Sequence, residues 1–232
     1  NNLINYHIGV ISSDQRVREG VLLGTPSYIT NSTPNGLDIL RNNLRLGSGG
    51  SPYESFFDVA YIALTPPVAN LQNYGFFRPD ASLVLVFLTD TDDQSESNMS
   101  ATDLYNNLLA LKRGDKRKII SYGGLIVPGL FCEGEEDSDS IIDFIDLTSG
   151  KYFSLCDPTF GEQLAAFGDD LFRRISLIRL KEIPIVSTIE VKYGDIVIPN
   201  DPLVGWVYDP ALVALRLGPD LVLEEQQNVK SL

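Results

Sequence analysis

Three aspartates follow one apolar segment of this chain at a spacing that could hold a cation. The segment reads "LVLVFLTDTDDQSES", residues 83–97, and Asp90, Asp92 and Asp93 come directly after its strand-like apolar run. Like charges this close repel one another, and burying any of them costs free energy unless a partner compensates. Carboxylate oxygens are the ligands that Mg²⁺ and Ca²⁺ prefer. The pattern is typical of a cation site and equally of a solvated acidic turn.

Two specific interpretations of these aspartates can be weighed on the sequence itself. An EF-hand loop beginning at Asp90 is excluded, because its sixth position would be Ser95 instead of Gly and its twelfth Ala101 instead of Glu. Asp90-Thr91-Asp92 is similar to the nucleophile motif of haloacid-dehalogenase-type phosphatases, in which a buried strand ends in Asp-x-Asp. That resemblance implies a later acidic pair, for which Asp169 and Asp170 are the candidates, but they lie in a helical pattern and not at a strand end.

The elements around the aspartates alternate between strands and helices, which predicts an α/β fold with a parallel sheet. Residues 20–50 are rich in Gly, Asn, Ser and Pro and predict loop, with a possible edge strand near "SYIT". Ser51 is expected to cap the first helix, with Glu54 completing a capping box. The predicted strands are residues 6–12, residues 83–89 and the segment "RKIISYGGLIVPG"; further helices are predicted to begin at Ser100 and at Thr159.

The pattern changes near residue 174, where short β-like runs separated by turn residues replace the helical periodicity. We therefore predict a domain boundary near Arg173, with an α/β domain over residues 1–173 and a small all-β domain over residues 174–232. "YGD" at residues 193–195 predicts a tight hairpin turn. Trp206 is the only tryptophan, and we expect it to pack against the core of this small domain or at the domain junction.

Composition narrows the classes of partner. The formal net charge of −13 repels phosphate backbones, so we expect no nucleic-acid partner. No apolar run approaches the roughly 20 residues that a membrane span needs, and no charged-then-apolar leader occurs, so we expect no transmembrane segment and no targeting signal in this sequence.

The single histidine, His7, is expected to be structural. Cys132 and Cys156 could form one bridge or remain two buried thiols.

The order of three segments resembles a von Willebrand factor A-like domain of secreted bacterial proteins and lipoproteins. The segments are "YHIGVISSD", "GSGGSPYESFFDVAYIAL" and "GFFRPDASLVLVFLTDTDDQS", and the C-terminal part resembles the small β domain that follows it in that group. The resemblance implies a Rossmann-like, mostly parallel sheet with helices on both faces. It also implies a Mg²⁺-type ion, with Ca²⁺ or Mn²⁺ as alternatives, in a metal-ion-dependent adhesion site. Asp90 and Ser51, or Ser48 instead of Ser51, would be ligands, with Asp92 and Asp93 behind them or at the rim.

The family pattern is incomplete in this sequence. No Asp-x-Ser-x-Ser ligand segment occurs, and the chain begins at what would be the second strand of the fold. We therefore expect a strand from an upstream segment, or from a neighbouring subunit, to lie between residues 6–12 and residues 83–89.

The resemblance also implies a function and a compartment. The implied function is non-enzymatic protein binding or adhesion to a protein ligand or envelope subunit, by an exported protein that is periplasmic, anchored to the outer membrane or extracellular. The alternatives are a metal-free structural subunit of an envelope assembly and a phosphatase using Asp90 and Asp92. In the exported context Cys132 and Cys156 are expected to be bridged.

Overall fold

The computed structural model describes residues 5–14, 16, 19–47, 49–130, 132, 137–218 and 221. They form two compact units, one of residues 6–167 and one that contains Asn5 and the described residues from Gly168 onward, here called the N-terminal and C-terminal units. The boundary near Arg173 stays a prediction.

Five α-helices and ten strands are assigned in the described residues. The helices are α1 (Gly36–Asn43), α2 (Phe56–Ala63), α3 (Ala101–Leu111), α4 (Asp139–Leu147) and α5 (Phe160–Ile175). The strands are β1 (Ile8–Gly9), β2 (Tyr28–Ile29), β3 (Leu83–Leu88), β4 (Ile119–Leu125), β5 (Lys151–Ser154), β6 (Leu177–Arg179), β7 (Val191–Tyr193), β8 (Ile196–Ile198), β9 (Trp206–Asp209) and β10 (Ala214–Leu217). Short 3₁₀ turns occupy Val68–Asn70, Lys116–Lys118 and Val186–Thr188.

A three-stranded parallel sheet in the order β3-β4-β5 forms the centre of the N-terminal unit. Val86 lies opposite Tyr122, and Tyr122 opposite Lys151. All seven residues of β4 are buried, as expected for a strand covered on both faces. The predicted α/β class is confirmed at this level: a parallel sheet flanked by helices, with separate small antiparallel sheets.

The hydrophobic core of this unit joins the parallel sheet to helices α2, α3 and α4. Its fully buried members include Phe57, Leu104, Leu108, Ile119, Leu125, Ile141, Phe144 and Ile145. Helix α3 begins where the sequence predicts it, because Ser100 and Asp103 form a reciprocal capping box. The predicted start of α5 at Thr159 is confirmed to within one residue, since the helix begins at Phe160.

The prediction of a mostly buried strand over residues 6–12 is wrong in extent. Only Ile8 and Gly9 are in ladder pairing, antiparallel to β2, and the Ile8 side chain is 40% exposed. The flanking residues make single hydrogen bonds outside a strand ladder. Tyr6 N–H donates to the Asn31 side chain, and Val10 C=O accepts from Leu23 N–H. The edge strand expected near "SYIT" is confirmed as β2.

After helix α5, the strands of the C-terminal unit pair in small antiparallel sheets, the β structure that the sequence predicts for this part of the chain. One has the order β6-β10-β9, and the other is the hairpin β7-β8, whose turn contains Gly194 at φ 59°. Trp206 is 3% exposed and packs with Ile198 and Leu215, while its indole N–H donates to Ile198 C=O at 3.0 Å. The expected packing of Trp206 against the core of this unit is confirmed.

Cys132 and Cys156 are joined in a disulfide, so the expected bridge is confirmed in the structure. A disulfide is compatible with an exported protein, because oxidising compartments are where such bonds persist. None of the described helices has the length and apolar composition of a membrane-crossing segment.

Candidate functional site

Four loops of the N-terminal unit meet beyond the carboxyl ends of β1 and β3. They are the residues after β1, the segment leading into α2, the residues after β3 and the segment leading into α4. Ser13 C=O accepts from Ser55 N–H at 2.9 Å, and the Ser13 hydroxyl donates to the Glu54 carboxylate. Gln94 N–H donates to Glu54 C=O at 2.7 Å, and Glu54 N–H donates to the Gln94 side chain at 3.2 Å. The predicted aspartates therefore lie in a region held by side chains from distant segments.

Asp92 caps helix α4. Both of its carboxylate oxygens accept from Ser140 N–H at 3.0 Å, and Oδ1 also accepts from Ile141 N–H at 3.2 Å. The first amides of a helix have no partner within the helix and carry partial positive charge, so a carboxylate there is stabilising. The helix has no side-chain cap from its own N-cap residue Ser138. Asp92, in the loop after β3, therefore caps α4 in place of a local residue.

Asp93 has the same role for helix α2. Its Oδ1 accepts from Phe57 N–H at 2.9 Å, and the next amide of the helix, Asp58 N–H, donates to Ser95 Oγ at 3.0 Å. The Asp58 carboxylate in turn accepts from Ser97 N–H at 3.1 Å and from the Ser97 hydroxyl. The loop after β3 thus supplies the N-terminal caps of two helices.

The expectation that Ser51 caps α2 is wrong. The helix begins at Phe56, five residues further on, with Ser55 at the N-cap position and no cap from the Ser55 side chain. A capping box from Ser51 and Glu54 is not formed, because Asp93 and Ser95 already satisfy the first amides and Glu54 bonds to Ser13 and Gln94. Asp93 and Ser95, which are distant in sequence, therefore cap α2 in place of a local residue.

Ser51 is instead paired with a carboxylate that sequence analysis missed. Ser51 N–H donates to Asp14 Oδ2 at 2.9 Å, and Ser51 Oγ accepts from Tyr53 N–H at 3.1 Å. Asp14 is 7% exposed and also accepts from Arg16 N–H. The signal that could have found Asp14 is its position, since it follows the predicted strand 6–12 as Asp90 follows the strand 83–89. Ser48, the alternative ligand, lies outside the described residues.

Asp90 differs from its neighbours. Its side chain is exposed, and it makes no hydrogen bond or ion pair within the part of the chain that the structure describes. Of the three aspartates that follow β3, Asp90 alone leaves both carboxylate oxygens open to a ligand from solution.

Substituting these aspartates one at a time should show which of them stabilises a helix by capping it. We expect Asp92→Ala to lower the free energy of unfolding by about 1–2 kcal/mol, because two amides at the start of α4 lose their acceptor. Asp90→Ala is the matched control and should change it by less than about 0.5 kcal/mol. Urea unfolding followed by circular dichroism measures both, and equal losses in the two variants would contradict the capping role.

The pH dependence of stability should report on Asp93. Burial raises the pKa of the Asp93 carboxyl above 3.8, although the hydrogen bonds from Phe57 and Ser95 oppose the shift. A group whose pKa is raised on folding adds stability that is complete below its unfolded pKa and is lost as the pH rises through its folded pKa. The stability of the wild-type chain relative to Asp93→Asn should therefore be highest below pH 3.8 and fall above it. Urea unfolding across this range is the measurement; a relative stability that rises with pH would contradict the prediction.

The described residues supply only part of a metal site. They contain no group of three or more His, Cys, Asp or Glu side chains placed to hold an ion. Asp90 offers a free carboxylate and Ser51 a hydroxyl, whereas Asp92 and Asp93 are engaged by helix amides. Mg²⁺ needs six oxygen ligands, so most would have to come from water or from outside these residues.

The same loops line an open surface groove that could receive another molecule. Tyr53, Gln94 and Met99 are among its lining residues. The Tyr53 side chain is mostly exposed, and the Arg16 guanidinium lies 5.6 Å from its ring centre. Exposed Tyr and Arg are the residue types that dominate protein-binding surfaces.

Comparison of this chain with protein-family models, with curated proteins and with solved structures found no match.

Proposed function

We propose that this chain is a non-enzymatic, protein-binding module of an exported protein, with its binding surface at the carboxyl ends of β1 and β3. The observation that carries the proposal is that the polar residues there differ in their contacts: some cap helices and others are open to solvent. Asp92 and Asp93 cap helices, whereas the Asp90 carboxylate makes no hydrogen bond or ion pair within the described residues and Tyr53 is mostly exposed. The disulfide Cys132–Cys156 supports the exported compartment. The resemblance to von Willebrand factor A-like domains, with their Rossmann-like sheet, belongs to the same proposal.

The phosphatase alternative has less support from the same residues. It requires Asp92 to act with Asp90 on a phosphoryl group, but both Asp92 oxygens accept from amides of α4. It also needs a later acidic pair at a strand end. Asp169 and Asp170 lie within helix α5, where the Asp170 carboxylate is paired with Arg174 at 2.7 Å.

A Mg²⁺-type ion at Asp90 and Ser51 remains a component of the proposal. Such an ion would be completed by a carboxylate of the bound protein, since the described residues offer too few ligands. A metal-free structural subunit of an envelope assembly is the second candidate. The observation that favours it is the apolar edge strand β3, whose outer edge no described strand covers; a polypeptide could pair with such an edge without any ion.

Two assays on matched variants test the proposed function. We expect no Asp90-dependent hydrolysis of an aryl phosphate in the presence of Mg²⁺, because Asp92 is not free to assist. In calorimetric titration with Mg²⁺, we expect any heat of binding to be lost in Asp90→Asn and kept in Asp92→Asn. Among the three aspartates that follow β3, Asp90 alone has both carboxylate oxygens free of contacts with the described residues. Turnover that disappears in Asp90→Asn would overturn the binding function. Equal heats in the wild-type chain and Asp90→Asn would remove the ion from the proposal.

A further inference from the structure

The sequence contains two Asn-x-Ser/Thr motifs, and the structure distinguishes between them. They are Asn31-Ser32-Thr33 and Asn98-Met99-Ser100. This motif is the acceptor for N-linked oligosaccharides in exported proteins, because a transferase modifies the asparagine amide while it binds the hydroxyl two residues later. An acceptor asparagine therefore needs an accessible side-chain amide at the protein surface. The contacts of each motif decide which of the two meets that condition.

The Asn31 motif is part of the packing of the N-terminal unit. Asn31 Oδ1 accepts from Tyr6 N–H at 3.1 Å, across 25 residues of sequence. The Thr33 hydroxyl accepts from Thr30 N–H at 2.8 Å, and the Asn31 and Thr33 residues are both half-buried. Pro34 follows directly and restricts the backbone of the residue before it to extended conformations. The amide and the hydroxyl of this motif are both held in place.

Asn98 lies at an exposed turn in the loop between β3 and α3. Its φ is 55°, in the left-handed region that asparagine tolerates, and its N–H donates to Ser95 C=O at 3.1 Å. The carboxamide oxygen makes no hydrogen bond within the residues that the structure describes. The carboxamide nitrogen has only a contact of 3.5 Å with Glu96 C=O, at the limit of hydrogen bonding. The turn therefore presents the Asn98 amide to solvent.

The residues flanking this asparagine complete an acceptor motif. Ser100 caps α3 through Asp103, but both residues are exposed, so the hydroxyl becomes reachable when one surface contact opens. Bacterial oligosaccharyltransferases also require Asp or Glu two residues before the asparagine. Glu96 occupies that position here, whereas Ile29 occupies it in the Asn31 motif. Glu96 is exposed, and its carboxylate makes no hydrogen bond or ion pair in the described part of the chain.

We propose that Asn98 is an N-glycosylation site that accepts an oligosaccharide from a lipid diphosphate carrier. In the transfer, Asn98 Nδ2 forms a bond to C1 of the first sugar as the bond from C1 to the diphosphate oxygen breaks. The lipid diphosphate leaves, and one amide proton is released with it. The inference rests on the exported compartment proposed above, because such transferases act outside the cytoplasm. Asn98 and Gln94 line the same groove, so the oligosaccharide would stand at the rim of the proposed binding surface.

Transfer can be measured in a bacterial host that makes an oligosaccharyltransferase and its lipid-linked oligosaccharide. The chain is directed to the periplasm by an added export signal, purified and digested, and peptide mass spectrometry gives the glycosylated fraction at each asparagine. We expect the Asn98 peptide to carry the oligosaccharide roughly ten times as often as the Asn31 peptide, because only Asn98 has an accessible amide. No oligosaccharide on Asn98, or a higher fraction on Asn31, would overturn the proposal.

Matched variants identify the motif as the cause. Asn98→Gln and Glu96→Ala should abolish the modification, whereas Glu96→Asp and Asn31→Gln should retain it. Ser100→Thr keeps the hydroxyl and should also retain it. Circular dichroism spectra that match the wild-type chain confirm that the variants fold. Modification that persists in Asn98→Gln would overturn the proposal. Because these readouts do not involve Asp90, they can fail while the Mg²⁺ and phosphate assays succeed, and the reverse.

Discussion

Asn73→Ala should be among the most destabilising single substitutions in the N-terminal unit, with a loss of about 4 kcal/mol in the free energy of unfolding. Asn73 is 1% exposed and joins three separate pieces of backbone. Its Oδ1 accepts from Leu22 N–H at 2.9 Å, and its Nδ2 donates to Gly20 C=O at 2.8 Å and to Ala63 C=O at 2.9 Å. Removing the amide leaves three buried backbone groups without partners, each costing about 1–3 kcal/mol.

Two variants make this prediction specific. Asn106→Ala removes an exposed asparagine from helix α3 and should change the free energy of unfolding by less than about 0.5 kcal/mol. Asn73→Asp keeps the shape and the acceptor for Leu22 N–H but loses both donors, so it should remain strongly destabilising. Urea unfolding monitored by fluorescence and circular dichroism measures all three. A loss below about 1 kcal/mol in Asn73→Ala would show that the loop rearranges to satisfy these groups.

Reducing the disulfide Cys132–Cys156 should lower the free energy of unfolding by about 3 kcal/mol. The two cysteines are 24 residues apart in sequence, with Cα atoms 5.8 Å apart. In the chain-entropy account, a closed loop of this size stabilises the protein because it restricts the unfolded chain. Urea unfolding with and without dithiothreitol measures the effect.

The double variant Cys132→Ser, Cys156→Ser is the control for the disulfide. Without reductant it should be as stable as the reduced wild-type chain, and reductant should not affect it further. Mass spectrometry of the wild-type chain alkylated without reductant should find no modified thiol. Two alkylated cysteines would contradict both the bridge and the exported compartment.

Local patterns determined the elements whose stabilising contacts lie close together in sequence. The capping box of α3 joins Ser100 to Asp103, three residues apart, and the β7-β8 hairpin turns through Gly194; both were predicted because their geometry depends on neighbouring residues. The runs that form β3 and β4 were also predicted, since short apolar or β-branched runs bounded by polar residues are typical of strands. The α/β class follows from these elements.

Helix α4 was not predicted, although its sequence carries a helical signal. Ile141, Phe144 and Ile145 recur at helical spacing and are all fully buried, so the periodicity that predicts a helix is present. The helix lacks a local cap, so the start signal that identifies α3 is missing from its sequence. Its cap comes from Asp92, 48 residues earlier.

The sequence by itself determined that three aspartates end an apolar strand, but only the tertiary structure decided what two of them do. Asp93 reaches Phe57, 36 residues away, and Asp14 reaches Ser51, 37 residues away. The carboxylate chemistry is the same whether the positive partner is a metal ion or the amides at a helix N-terminus, because both attract negative charge. Which partner a carboxylate meets depends on how the chain packs, and no local pattern encodes the positions of α2 and α4 relative to the loop after β3.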